Sequence, residues 1–417
     1  MSTNLAIALR FLLFKKRAML MTLSGIVFGV AFFVLTQAQT SGFEELFIKT
    51  ILGSDGALRV ADRRQPTFAS TEIAASGDAG ATLQIENYVK HIEGVDYPDT
   101  LRERLRAFPE ITATAEVLRG NARLESARAS ADAQVFGMRL RDFRAVSNIE
   151  GQIIAGDLAD FERDPQGLIL GSELAGPKRA AVKPGDVVVL NCAGTAQRFT
   201  VSCVFETGVG DIDKVRAIAH LGAARSLLKK PFGATYIQAS MRDPALAEPV
   251  AERVGPIVGH HIAPWQRRER VWLTVFTALR LSSAVTVSSI IIVSALGMFN
   301  TLAMLVIEKT REIAILRSFG FTRGDVTRIF LWLGFTVIVL GSLLGCAAGA
   351  LLTWGAENVP LRIRGVFSTE HFVVNWSASH YLAAVATAVV VVSVASYFPA
   401  RRAARIEPGE IIRGASS

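Results

Sequence analysis

Four long stretches without a single Asp, Glu, Lys or Arg constrain this chain more than any other feature: residues 18–43, 281–307, 329–356 and 371–400. A helix rising about 1.5 Å per residue needs about 20 apolar residues to cross a hydrocarbon core of roughly 30 Å. Each stretch is long enough, although the apolar part of the last begins only near Tyr381. Helices buried in soluble cores seldom run so far without a charge, so four transmembrane helices are expected. Composition agrees, since the 417 residues are 50% hydrophobic and only 20% charged, against about 25% in soluble domains. That balance excludes a mostly disordered chain. Three cysteines exclude a disulfide framework. Lys15, Lys16 and Arg17 resemble the basic flank of a secretory leader. Leader cores span only about 7–15 residues and end at a small-x-small site. The run here is longer and ends in Thr36-Gln37-Ala38-Gln39, so a retained helix is expected.

The net charge of +8 is unevenly placed. Residues 44–270 hold 29 Lys/Arg against 30 Asp/Glu. The short segments before the first helix, between the second and third, and after the fourth hold 13 basic residues against five acidic ones. Positive charge is retained on the cytoplasmic side of membranes. Both termini and the short middle segment are therefore expected in the cytoplasm, and residues 44–272 outside, between helices one and two. The basic excess reads as a topology signal and not as a nucleic-acid footprint, because no basic stripe is interleaved with aromatics.

The outer segment reads as an α+β domain. Residues 99–108 have helical charge spacing and stop at Pro109, and residues 221–228 read as a short helix ahead of Pro231. The β-rich runs 186–191 and 198–205, parted by Gly194-Thr195, read as a hairpin. Residues 65–80, rich in Ala, Ser, Thr and Gly, read as a loop. His260 and His261 lack a third ligand at metal spacing and read as a solvated loop pair, so no metal or other cofactor is expected. Cys192 and Cys203 do not face each other across the hairpin and are expected as free thiols. No hydrolase, zinc-protease or paired-carboxylate motif is present, and no Gly-Lys dipeptide for a phosphate-binding loop. The chain is not expected to be an enzyme. If energy is used, a partner supplies it.

Gly25 and Gly29 in the first helix, and Gly341, Gly345 and Gly349 in the third, recur every four residues. Small residues at that spacing let helix backbones approach closely in lipid. The middle segment carries Glu308, Lys309, Arg311, Glu312 and Arg317, with Ile313, Leu316 and Phe319 as apolar contacts. Glu308 with Arg311, and Lys309 with Glu312, are spaced to pair along a helix. Gly320 stops that helix, and Thr322-x-x-Asp325 reads as a capping box opening the next. The expected divisions are residues 1–43 (N-terminal segment and helix one), 44–272 (outer domain), 273–307 (helix two) and 308–327 (charged helix and turn). Then come 328–356 (helix three), 357–379 (outer loop), 380–400 (helix four) and 401–417 (tail).

That middle segment, Glu308-Lys-x-Arg-Glu-Ile-Ala-Ile-Leu-Arg-Ser-Phe-Gly, resembles the signature loop of FtsX/MacB-type ABC transporter permeases. Tyr397-Phe-Pro-Ala-Arg-Arg-Ala-Ala-Arg-Ile-Glu-Pro resembles their C-terminal motif. Gly42-Phe-Glu-Glu-Leu, Leu170-Gly-Ser-Glu-Leu-Ala, Lys183-Pro-Gly-Asp and Val204-Phe-Glu-Thr-Gly resemble the lipoprotein-releasing (LolC/LolE) branch. The resemblance implies an inner-membrane permease, paired with a second permease subunit as a homodimer or heterodimer, embedded in membrane lipids and bound to an ABC ATPase subunit. Glu308, Lys309, Arg311, Glu312, Ile313, Leu316, Arg317 and Phe319 would then form the coupling helix seated on the ATPase. Motion driven by ATP would reach the outer domain, which would extract or export a lipoprotein or another amphiphile. Two other activities stay open from the resemblance: an FtsX-like transmitter controlling an extracytoplasmic enzyme, and MacB-like efflux of peptides or small molecules. One departure is the short turn at residues 192–197, where carrier-docking members of the branch have an extended hairpin.

Overall fold

The computed structural model describes residues 16–68, 87–92, 94–360 and 371–405. The chain divides into two compact units, one of Met1–Glu45, Thr274–Leu361 and His371–Ser417, the other of Leu46–Leu273 and Arg362–Glu370.

Ten helices longer than one turn and eleven strands are seen among the described residues. In chain order they are α1 (Lys16–Asp55), β1 (Leu58–Phe68), β2 (Asn87–Ile92), α2 (Pro98–Arg106), β3 (Ile111–Glu125), β4 (Ser130–Met138) and α3 (Leu140–Val146). Then follow β5 (Ile153–Gly156), α4 (Leu158–Arg163), β6 (Gly167–Gly171), β7 (Val187–Cys192), β8 (Thr195–Phe205), β9 (Arg216–His220) and α5 (Leu221–Leu228). The last are β10 (Tyr236–Met241), α6 (Ala247–Val258), β11 (His260–Pro264), α7 (Arg270–Glu308), α8 (Thr310–Ser318), α9 (Arg323–Glu357) and α10 (Ala378–Ala404).

The first unit is helical. Helices α1, α7, α9 and α10 are long and apolar enough to cross a membrane. Their shared core recurs at helical spacing: Ile26, Val30 and Val34 of α1, Ile291, Met298 and Leu302 of α7, Phe330, Leu333 and Val337 of α9, Ala384, Ala388 and Val392 of α10. Outward faces stay apolar too, as at Leu281, Val293, Leu343 and Val390, which is the pattern of helices solvated by lipid. Helix α1 continues without a break past residue 43 to Asp55, and α7 begins at Arg270.

The second unit is built on one mixed sheet in the order β11-β1-β10-β3-β4-β9-β6-β8-β5, with β2 paired to β1 and β7 to β3 and β8. Most neighbours are antiparallel, while β4–β9 and β6–β8 are parallel. Alternation along β3 and β4 sends Leu118, Leu124, Ala133 and Val135 into one core and Ala115, Val117, Phe136 and Met138 into another. A third core gathers α2, α6 and the β1/β10/β11 end around Leu105, Val254, Ile237 and Trp265. The hairpin β7–β8 turns on two residues, Ala193 (φ 46°) and Gly194 (φ 81°), both in the left-handed region, as the twist of a two-residue hairpin requires.

Two loop expectations are corrected here. Residues 65–68 are strand, because β1 continues to Phe68 and pairs there with β2, while residues 69–80 of that expected loop lie outside the described residues. His260 and His261 are not a solvated loop pair but open β11, where they pair with Arg63 and Ala61 of β1 across a bulge. The backbone demand of an open sheet edge outweighed the loop-like composition.

Candidate functional site

The charged segment between α7 and α9 is built by two stops and one cap. Gly320 takes φ 97° and ends α8, a conformation that carries no steric cost only in glycine. Thr322 accepts a hydrogen bond from the Asp325 amide at 3.2 Å, and Asp325 accepts one back from the Thr322 amide at 3.0 Å, closing a reciprocal capping box. At the other end, Glu308 is the last residue of α7 and Lys309 sits at the N-cap of α8.

Helix α8 presents its residues unequally. Ile313 and Ala314 are buried, and the Lys309 side chain is buried where it forms an ion pair with Glu312. Leu316 and Arg317 are half-buried, while Glu308, Arg311 and Glu312 are exposed. Phe319 is 81% exposed, and Ile315 is 44% exposed. The helix places Ile313 inward and, two residues on at about 200°, Ile315 outward. An outward apolar pair flanked by Arg311 and Glu312 therefore remains on the surface. Ile315 was not among the residues singled out from sequence, since a run of apolar residues does not by itself say which face the bundle takes.

The glycine series lies where helix axes come closest. A Cβ added at Gly341 would come 2.9 Å from Ile26, at Gly345 2.7 Å from Val30 and at Gly349 3.0 Å from Val34, so α9 rests on the β-branched ridge of α1. Gly25 and Gly29 face α7, where an added Cβ would come 2.7 Å from Ser294 and from Ile291. Gly42 admits the backbone of residues 373–374, whose nearest atom would be 2.6 Å from an added Cβ. Beside it, Asn375 donates its amide to Ala38 O at 2.9 Å and its side chain to Glu45 at 2.7 Å. Arg280 of α7 forms an ion pair with Glu44, and Gln37 donates to Arg280 O at 3.1 Å and to Ser283 at 3.2 Å.

In the sheet unit the last turn of α1 is held by a cluster that sequence reading missed. Asp55 accepts from Arg216 of β9 at 2.8 Å and from Arg59 of β1 at 3.3 Å. Arg268 donates to the carbonyls of Asp55 at 3.4 Å and Gly56 at 3.2 Å. Gln238 donates to Ser54 O at 3.2 Å, and the Asn148 amide to Gly53 O at 3.0 Å. Cations and donors thus converge on the negative end of the helix dipole, where they are favoured. Arg268 lies two residues ahead of α7 in the chain. No local signal announces it, because Asp55 and Arg216 are 161 positions apart.

Of the segments that resemble the lipoprotein-releasing branch, residues 42–46 lie within α1, and the others form turns. Thr207 donates its amide at 3.0 Å and its hydroxyl at 2.8 Å to Asp213, and Gly171 lies against the Asp213 backbone. Burial pushes the Asp213 carboxyl up to about 6, against the bonds from Thr207 that pull it down. Lys183 donates its amide to Asp186 at 2.8 Å around Gly185, which takes φ 95°. Cys192 and Cys203 are free. Among the described residues no three His, Cys, Asp or Glu side chains gather as a metal-binding group.

Residues 19–257 match the MacB-like periplasmic core domain family, and residues 284–408 match the FtsX-like permease C-terminal family. The chain is 25% identical, over 447 aligned positions covering 98% of each protein, to the lipoprotein-releasing system transmembrane protein LolC of Xylella fastidiosa. It is 24% identical to the lipoprotein-releasing system transmembrane protein LolE of Haemophilus influenzae, over 93% of this chain and 92% of that one. It is 32% identical to the macrolide export ATP-binding/permease protein MacB of Pasteurella multocida, over 28% of this chain and 17% of that one. With more than half of its length matched by the MacB-like periplasmic core domain, and most of the remainder that follows by the FtsX-like permease domain, the chain belongs to the FtsX/MacB-type ABC transporter permease family.

Proposed function

We propose that this protein is the permease subunit of an inner-membrane ABC transporter that passes ATPase-driven motion to its outer domain, there to extract or export a lipoprotein or another amphiphile. The observation that carries the reading is α8: a capped, charged helix between two long apolar helices, with Ile315 and Phe319 turned outward beside Arg311 and Glu312. Its exposed apolar pair suits the groove of an ATPase subunit. In this reading Glu308, Lys309, Arg311, Glu312, Ile313, Leu316, Arg317 and Phe319 form the coupling element, and both termini lie in the cytoplasm, where the basic segments gather. Residues 46–273 then lie outside, and α1 and α7 act as levers. A second permease subunit, identical or related, completes the transporter. The similarity to LolC and LolE, the transmembrane proteins of lipoprotein-releasing systems, supports lipoprotein release as the cargo step. The two-residue turn at Ala193–Gly194 offers no long arm to a soluble carrier, so cargo leaves by another route or as a different amphiphile.

The test is co-purification with the ABC ATPase of the same transporter and measurement of ATP hydrolysis, for wild type and for Ile315→Asp/Phe319→Asp. The expected outcome is loss of the complex or a fall of at least about tenfold in stimulated hydrolysis, because a charge placed in an apolar contact costs on the order of 2 kcal/mol or more. An unchanged complex with unchanged hydrolysis would remove α8 from the coupling contact. An intact coupled complex that controls an extracytoplasmic enzyme without moving cargo would favour the transmitter activity.

A further inference from the structure

Helices α7 and α10 enclose a groove of about 450 Å³ on the surface of the helical unit, lined by Ile292, Ala295, Leu296 and Phe299 of α7 and by Val390, Val391, Val394, Ala395 and Phe398 of α10. Its volume falls in the range of ligand sites, roughly 300–1,000 Å³, and no polar side chain lines it. Leu296, Val390, Val394 and Phe398 are each more than half exposed, so the groove opens outward from the bundle.

The register of the two helices is set by Ser396, which lies 3.9 Å from the Met298 sulfur. Met298 lies beside Ser396 and, a few turns earlier on each helix, Arg280 lies near His380, so α7 and α10 run in the same direction. Along α10 the stripe Val391, Val394 and Phe398 continues at three- and four-residue steps to Arg401, Arg402 and Arg405. All three arginines are exposed. Arg401 and Arg402 begin about 5 Å beyond Phe398 at helical rise. On α7, Glu308 lies nine residues past Phe299, about 180° around the helix from it, so it faces away from this stripe. Apolar walls therefore end, on one side only, in a cluster of positive charge.

We infer that this groove is a binding site for an anionic phospholipid of the surrounding bilayer, an acyl chain lying between α7 and α10 and the headgroup phosphate held by Arg401 and Arg402. An acyl chain suits walls without donors or acceptors, and guanidinium groups clamp phosphate oxygens through paired hydrogen bonds. The site rests on the reading of these helices as membrane spans. It adds a lipid-dependent element on the stripe that ends in the C-terminal motif, distinct from the coupling helix and from cargo handling by the outer domain.

The experiment uses the full chain with its ATPase partner, reconstituted in nanodiscs of phosphatidylcholine with or without phosphatidylglycerol. Lipids retained after a delipidating wash are counted by native mass spectrometry. Phosphatidylglycerol is expected to be retained over phosphatidylcholine, with the preference falling on the order of tenfold in Arg401→Gln/Arg402→Gln, since each basic residue contributes severalfold at an anionic surface. Val394→Trp, which fills the groove, is expected to lower retention of both lipids while leaving the arginines in place. Equal retention of the two lipids by wild type would overturn the site. So would a photocrosslink from benzoylphenylalanine at Leu296 that captures a second copy of the chain instead of lipid. Release of the chain from membranes by carbonate would overturn the membrane reading and this site together, whereas the lipid and crosslink results bear on the site alone.

Discussion

The two units solve the same problem, bringing distant segments together, by opposite means. In the helical unit the contacts are steric: glycines of α9 rest on Ile26, Val30 and Val34, and charge pairs sit at the borders of the charge-free runs, as at Glu44–Arg280 and Lys309–Glu312. In the sheet unit ionic groups go inside. Glu116 of β3 is buried and accepts from Arg139 at 2.8 Å and Arg225 at 2.7 Å. Arg102 is buried against Asp142 at 2.8 Å and Thr114 O at 3.0 Å. Asp55 is held by three arginines. The solvent explains the difference. Lipid gives apolar side chains no reason to associate, so close packing has to do so. Around the sheet unit, water drives apolar burial, and buried charges are tolerated only with partners.

The comparison breaks first, if it is wrong, at Asp55. Asp55→Ala leaves the buried Arg216 without its acid, and removing one partner of a buried pair costs about 3–5 kcal/mol. Chemical denaturation of the full chain, followed by a probe in the sheet unit, should show that loss. A loss below about 1 kcal/mol would mean that water replaces the carboxylate and that the cluster does not hold α1.

Overpacking is the next largest effect. Gly345→Leu drives a side chain into Val30 and is expected to destabilise the helical unit by about 1–3 kcal/mol. Gly355, where an added Cβ meets nothing within 4 Å, is the control, and Gly355→Ala should be neutral or slightly stabilising. Equal effects at the two positions would sink the steric account.

Asp213 sharpens the account of buried charge. Its folded-state pKa is raised to about 6 from 3.8. The folded state therefore binds the extra proton, and the resulting stability is complete below about pH 4 and lost as pH rises through about 6. The span is on the order of 3 kcal/mol. Asp213→Asn should remove that slope, read as the difference between wild-type and variant melting temperatures across pH 4–7. Parallel curves would show that Asp213 keeps an ordinary pKa. The smallest effect is expected at Phe319, whose exposure predicts a stability change within about 0.5 kcal/mol for Phe319→Asp.

Much of the helical unit was legible because its signals are local. Long charge-free runs, Gly320 and the Thr322/Asp325 box each act within a few residues, and the structure shows the box closed. Helix α5 and the hairpin β7–β8 were readable for the same reason, from their ends and turn. Strand β1 beyond Gln65 and strand β11 at His260 were not, since residues of low strand propensity entered the sheet through backbone pairing with each other's neighbours. In α8, spacing marked the residues as a surface element but did not distinguish Ile313, which is buried, from Ile315 and Phe319, which face out.

The linear order of residues by itself determined the four apolar helices, the capped charged element between the second and third, and the family, because periodicity, charge and short motifs are properties of neighbours. Only the tertiary structure decided that α9 rests on α1, that Asp55 meets Arg59, Arg216 and Arg268 at the end of that helix, and that the stripe along α10 runs from an apolar groove to Arg401 and Arg402. Apart from Asp55–Arg59 and the run along α10 itself, those contacts join residues tens to hundreds of positions apart, and their energies come from packing and desolvation, which exist only once the chain has closed on itself.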